Sequence, residues 1–153
     1  MNKKWLVLAP MMAAVMIGCS RYRDIEPVDL VVHDIPEDVI VASIVTAGER
    51  ARWTACRQGP NELQLFMNFK RWLITVDATY STNGYRLLVN PQMTTLINDD
   101  NEVHRNVNNL VVRLDRRIQN QIPIFMRSSA PKIDLKPCES HYHQAKMKAM
   151  KEQ

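Results

Sequence analysis

The residues best equipped for chemistry sit near the end of the chain. In Cys138-Glu139-Ser140-His141-Tyr142-His143 one thiol and two imidazoles fall within a short stretch. Thiolate and imidazole are good ligands for zinc or copper, and the spacing is short enough to chelate. A structural zinc site wants about four protein ligands, and the fourth is not evident. The competing reading joins Cys138 to Cys56, which takes the strongest of the three ligands away. His104 and Asn108 form a second pair, one helical turn apart and able to share a face. They suit a small polar site over a sheet edge. The plainer reading is a helix-start histidine bonded to the preceding loop, with Asn108 tying down a neighbouring backbone group. Nucleophile elbows and phosphate loops need glycines at sharp turns. The chain has only 4 glycines, none in such a pattern, so no catalytic residue and no cofactor is expected.

The third cysteine, Cys19, closes a different kind of segment. Lys3 and Lys4 make a cationic start, an apolar run over 5–17 follows, broken only by Pro10, and Gly18-Cys19 ends it. That is the layout of a secretion signal. The run is too short for a membrane-spanning helix, which needs about 20 apolar residues. Met16-Ile17-Gly18-Cys19 resembles the lipobox of bacterial lipoproteins, with Met16 where Leu is usual. The resemblance implies cleavage before Cys19 and acylation of its sulfur and new amino group. Two acyl chains hold a protein stably on a membrane, and the three implied here would do so permanently. Ser20, being other than Asp, implies sorting to the outer membrane, with the domain facing the periplasm.

Processing also alters the charge. The full chain carries 20 Lys+Arg against 16 Asp+Glu, formally +4. Residues 1–18 hold Lys3 and Lys4 and no acid, so 18 basic residues remain against 16 acidic ones, a surplus of two. Nucleic-acid binding wants basic residues massed on one face, and none is expected. In an oxidising compartment Cys56 and Cys138 tend to pair. Closing the long loop between them contributes about 4.5 kcal/mol in the chain-entropy model.

These groups must be positioned by a domain that the hydrophobic pattern outlines. Residues 19–33 are polar with scattered aliphatics and read as a tether. Asp34-Ile35-Pro36-Glu37 reads as a capped helix start, and 39–46 is apolar nearly all round, so that helix should be deeply buried. In ELQLFMNF, WLITVDATY and YRLLVN apolar residues alternate with polar ones, the period of strands with one buried face. Lys70-Arg71 and Ser81-Thr82-Asn83-Gly84 join them as tight turns, Asn-Gly being a strong hairpin signal. Residues 53–58 supply a preceding strand. A second helix is expected from near Glu102, with Val103, Val107, Leu110, Val111, Leu114, Ile118 and Ile122 as its apolar stripe and Pro123 as its stop. Arg105, Arg113, Arg116 and Arg117 lie mostly off that stripe, where they solubilise the helix or face anionic headgroups or polymers. The expected fold is α+β, a helix, a four-stranded antiparallel meander and a helix over 34–122, both helices on one sheet face. Residues 123–153 read as a polar, loosely ordered tail.

The second helix also carries a resemblance. Val103-His104, Asn108, Leu114 and Ile118 are similar to the C-terminal helix of a group of small, uncharacterised bacterial lipoproteins. Val107 stands where that helix usually has an aromatic and Leu110 where it has Trp. The similarity covers roughly 36–122 and implies the same α+β fold, with no activity to carry over. On the strands, Phe66, Leu73 and Leu88 fall on the nominally open side, where clustered apolar side chains mark a partner surface unless the tether or tail covers them. Asp77 on that side reads as solvated. The sequence therefore points to a non-enzymatic envelope lipoprotein that contacts the membrane through Cys19 and an envelope protein through its domain. A metal-binding lipoprotein using Cys138, His141 and His143 is the alternative.

Overall fold

The computed structural model describes residues 20–139, and Cys19, His141 and His143 lie outside the described residues. In chain order the elements are β1 (Tyr22–Arg23), β2 (Val28–Val31), α1 (Glu37–Arg50), β3 (Thr54–Gly59), β4 (Glu62–Phe69), β5 (Trp72–Ser81), β6 (Gly84–Val89), β7 (Val103–His104) and α2 (Arg105–Arg127). A 3-10 turn, Pro91–Met93, follows β6. The fold is α+β, with a 5-stranded antiparallel sheet in the order β2-β6-β5-β4-β3 and a separate 2-stranded sheet of β1 and β7.

Helix α1 forms because almost every side chain in its middle is apolar and finds a neighbour. Val39, Ile40, Val41, Ala42, Ile44 and Val45 are all buried. Burying an isoleucine such as Ile40 or Ile44 stabilises the fold by about 1.5–3 kcal/mol. The start of the helix differs from the sequence expectation. Asp34 sits at φ +55°, outside the geometry of a cap, and Pro36 takes the N-cap position without a side-chain hydrogen bond. Instead Asp38 Oδ1 accepts from the Val39 amide at 2.9 Å. At the other end Arg52, at φ +67°, turns the chain into β3.

Strands β3 to β6 are antiparallel neighbours in chain order, with β4 and β5 buried on both faces along much of their length. Phe69 pairs with Trp72 across Lys70-Arg71, and Ser81 with Gly84 across Thr82-Asn83. Leu63, Leu65, Ile74, Val76, Ala78, Leu87 and Val89 are fully buried and form one core cluster with the apolar faces of α1 and α2. The expected meander of four strands gains a fifth. Val28–Val31, inside the segment read as a tether, pairs along β6. Val28 and Leu30 pack on the core, while Asp29 meets Arg86 at 3.5 Å. Gly84 makes this pairing possible. It lies at φ +132°, and a Cβ there would stand 1.9 Å from the Leu30 carbonyl oxygen, an approach only glycine permits. The described part of the segment opens with β1, so residues 20–33 do not form a free leash.

Two further expectations are corrected along α2 and beyond it. The helix starts at Arg105 rather than Glu102, because Val103 and His104 pair with Arg23 and Tyr22. It also runs through Pro123 to Arg127. Proline removes one amide bond, but Pro123 is on the exposed side, and Ile122 and Phe125 keep the turn docked on the core. Past α2, Ala130, Ile133 and Leu135 pack against the core, and the Arg57 amide donates to the Lys136 carbonyl at 3.0 Å. Up to residue 139 the tail is a strap over the β3 edge.

Candidate functional site

The strap is fastened by chemistry as well as packing. Cys56 and Cys138 are joined as a disulfide, their Cα atoms 4.8 Å apart and 82 residues apart in sequence. Cys56 belongs to β3 and Cys138 follows Pro137, which bridges to Arg57, so the bond locks the tail beside an edge strand. With Cys138 so engaged, the alternative reading of a Cys138, His141 and His143 metal trio loses its thiolate. Among the described residues no group of three His, Cys, Asp or Glu side chains is placed to hold a metal.

The disulfide stands at one end of a row of side chains across the sheet. Register pairs Cys56 with Gln64, Gln64 with Asp77 and Asp77 with Leu88. Asp77 is not the solvated charge expected. Its Oδ1 accepts from Gln64 Nε2 at 2.9 Å and its Oδ2 from Asn90 Nδ2 at 2.8 Å. Asn90 Oδ1 in turn accepts from the Gln92 and Met93 amides, fixing the 3-10 turn. Gln64 is only 3% exposed. Sequence reasoning missed this network because alternation shows which residues share a face, not which of them bond. A cleft of about 360 Å³ opens beside it, with Arg57, Gln64, Met93 and Cys138 in its walls.

The expected partner surface is largely filled. Phe66 and Leu73 are 9% and 6% exposed, packed with Cys56 and Cys138 in a small second cluster. Thr95 adds to this cover, its Oγ1 accepting from the Leu73 amide at 2.8 Å. Only Leu88 stays open, at 40%. The correction has a simple cause: apolar residues on the second face recruited the strap and the loop after β6.

His104 and Asn108 are both structural anchors of β1. The His104 ring meets Tyr22 edge-on at 5.8 Å, and its Nδ1 accepts from the Asn106 amide at 3.2 Å, capping α2. Asn108 Nδ2 donates to the Asp24 carbonyl at 2.9 Å. Its Oδ1 and the Ser43 hydroxyl are the buried polar side-chain atoms without a hydrogen-bond partner among the described residues. A polar cleft of about 410 Å³ adjoins Asn108, walled by Arg23, Glu26, Arg105 and Asn109.

Two polar links tie α2 to the rest of the core. The Tyr85 hydroxyl donates to Asp115 Oδ1 at 2.6 Å, and Gln119 Nε2 donates to Oδ2 at 2.8 Å. Burial pushes the Tyr85 phenol far above its ordinary value, and the hydrogen bond to Asp115 adds to the rise. Arg50 Nη1 donates to the buried Gln121 Oε1 at 2.9 Å, joining the end of α1 to α2. Beneath the strap, a cleft of about 450 Å³ lies between Glu37, Asp38, Arg57, Tyr80 and Lys132. Arg57 Nη1 donates to the Tyr80 hydroxyl at 3.3 Å, which donates to the Pro60 carbonyl at 2.9 Å. These arrangements can hydrogen-bond and present apolar or cationic surface. No helix among the described residues is long and apolar enough to cross a membrane. Comparison with known protein families and with curated protein sequences gives no match for this chain.

Proposed function

We propose that this chain is a lipid-anchored lipoprotein of the bacterial outer membrane, facing the periplasm, and that its α+β domain is a non-enzymatic contact module. Cys19 is the lipid attachment site, in keeping with the resemblance to small envelope lipoproteins. The observation that carries the reading is the Cys56–Cys138 disulfide, since such bonds persist in oxidising compartments and are rare in the cytosol. It agrees with the secretion layout of residues 1–18.

In this reading the domain has two layers. The helices cover one face of the sheet, as their shared cluster with Leu65, Val76 and Leu87 suggests. The other face, carrying Gln64, Asp77 and Leu88, meets an envelope protein. Because Phe66 and Leu73 are covered, the contact narrows to Leu88 and the cleft beside Gln64 and Met93. Metabolic labelling with palmitate tests the anchor: the wild-type chain takes up label and Cys19→Ala does not. Equal labelling of the two, or none of the wild type, sinks the reading. A photo-crosslinker at Leu88 tests the module: one discrete protein adduct is expected, and its absence in intact cells contradicts the assigned contact.

A further inference from the structure

Helix α2 contains five arginines, Arg105, Arg113, Arg116, Arg117 and Arg127, and a single acid, Asp115. Asp115 is buried, at 8% exposure, and holds Tyr85. At about 100° per residue, all five arginines fall within one outward arc of roughly 140°. Val112 and Ile124, 37% and 51% exposed, share that arc. None of the five has a carboxylate partner among the described residues, where the one ion pair is Arg86 with Asp29. Arg113, Arg116 and Arg117 rim a cleft of about 350 Å³ whose floor includes Trp53 and Leu110. The arc carries no acid: its arginines are interspersed with the exposed amides Asn106, Asn109 and Asn120 and with apolar side chains, and such a cationic face matches an anionic, partly apolar surface.

The start of the chain brings such a surface near. Ser20 is one peptide bond from Cys19, and it is already next to folded structure. The Arg21 carbonyl accepts from the Arg105 amide at 2.9 Å, and Tyr22 pairs with His104. The anchor therefore enters at the N-terminal end of α2 with almost no slack. A domain held this closely stands within the reach of headgroup charge, about a Debye length or 8 Å at physiological salt.

We propose that the outward arc of α2 docks on anionic phospholipid headgroups, setting the domain flat on the bilayer with its sheet turned away. This rests on the lipid-anchor reading for its setting, but the surface can be measured without the anchor. The test uses the chain from residue 19 onward carrying Cys19→Ser, which keeps every described residue. It is sedimented with vesicles of phosphatidylcholine alone, or of phosphatidylcholine and phosphatidylglycerol in equal parts. Binding is expected to the second and not the first, and to weaken as salt rises. The triple variant Arg113→Gln, Arg116→Gln, Arg117→Gln should lose on the order of 100-fold in partitioning, each charge contributing about 1 kcal/mol. Lys70→Gln, Arg71→Gln, Arg86→Gln removes as much charge from the sheet side and should bind as the parent does, both variants keeping the parent's circular dichroism. Equal binding to both vesicles, binding to neither, or a triple variant that binds like the parent overturns the proposal. Binding to neither would leave an acidic protein as the partner of this face. Because no acyl group is present, a bare Cys19 in cells would defeat the anchor and leave this result standing.

Discussion

Tyr85 and Asp115 carry the most consequential polar contact in the core, a 2.6 Å bond between β6 and α2. Replacing Tyr85 by Phe leaves a buried carboxylate short of a donor, which costs about 1–3 kcal/mol and should lower the urea midpoint accordingly. The same pair sets a pH dependence. The folded-state phenol titrates above its unfolded value of 10.0, so folding favours the protonated form. Its contribution is fully present below that value and is lost as pH rises past it. Stability should therefore fall in alkali above pH about 10, and the fall should be shallower in Tyr85→Phe. At this scale the sequence is least legible. That Phe66 and Leu73 share a face with Asp77 follows from alternation. That a distant thiol would cover Phe66, or that Gln64 and Asn90 would clasp Asp77, depends on side chains brought together from far apart.

Elements were more legible where pattern and turn chemistry agreed. β4, β5 and β6 alternate apart from Phe66, Leu73 and Leu88, with Lys70-Arg71 closing the first hairpin and Asn83-Gly84 the second. β2 hides because it is short, follows Pro27, and carries Val31, an apolar residue left 75% exposed. Its place depends on Gly84, and Gly84→Ala should push β2 from β6. A loss of more than about 1 kcal/mol is expected, with amide exchange rising at Val28–Val31 and not at β4. The end of α2 was obscured by Pro123, whose local cost is outweighed by docking of the turns on either side. The strap makes a separate prediction. Cys138→Ser should destabilise the domain by about 2–4 kcal/mol. Amide exchange should rise first across 128–139 and at Arg57, and a dye for exposed apolar surface should bind as Phe66 and Leu73 are uncovered. Unchanged exchange across the strap would mean that packing of Ala130, Ile133 and Leu135 suffices to hold it.

Across the whole molecule, the disulfide, the cationic helix face and the folded start at Ser20 point toward one arrangement. A small domain with a modest core is reinforced by a covalent strap, which fits the proposed oxidising setting. Its charge is asymmetric in space, because the one acid of α2, Asp115, is buried while the helix's arginines face outward. In the proposed reading, the sheet's second face, with Leu88 and the Gln64–Asp77–Asn90 network, makes the protein contact. The membrane setting turns on what Cys19 carries. Intact-mass and N-terminal analysis of the chain isolated from membranes tests it most directly. The account predicts a chain that begins at Cys19, heavier than its polypeptide by a diacylglyceryl group and a further acyl chain, with Cys56 and Cys138 unreactive to alkylation. A chain that retains residues 1–18, or a Cys19 that bears no lipid, would contradict it.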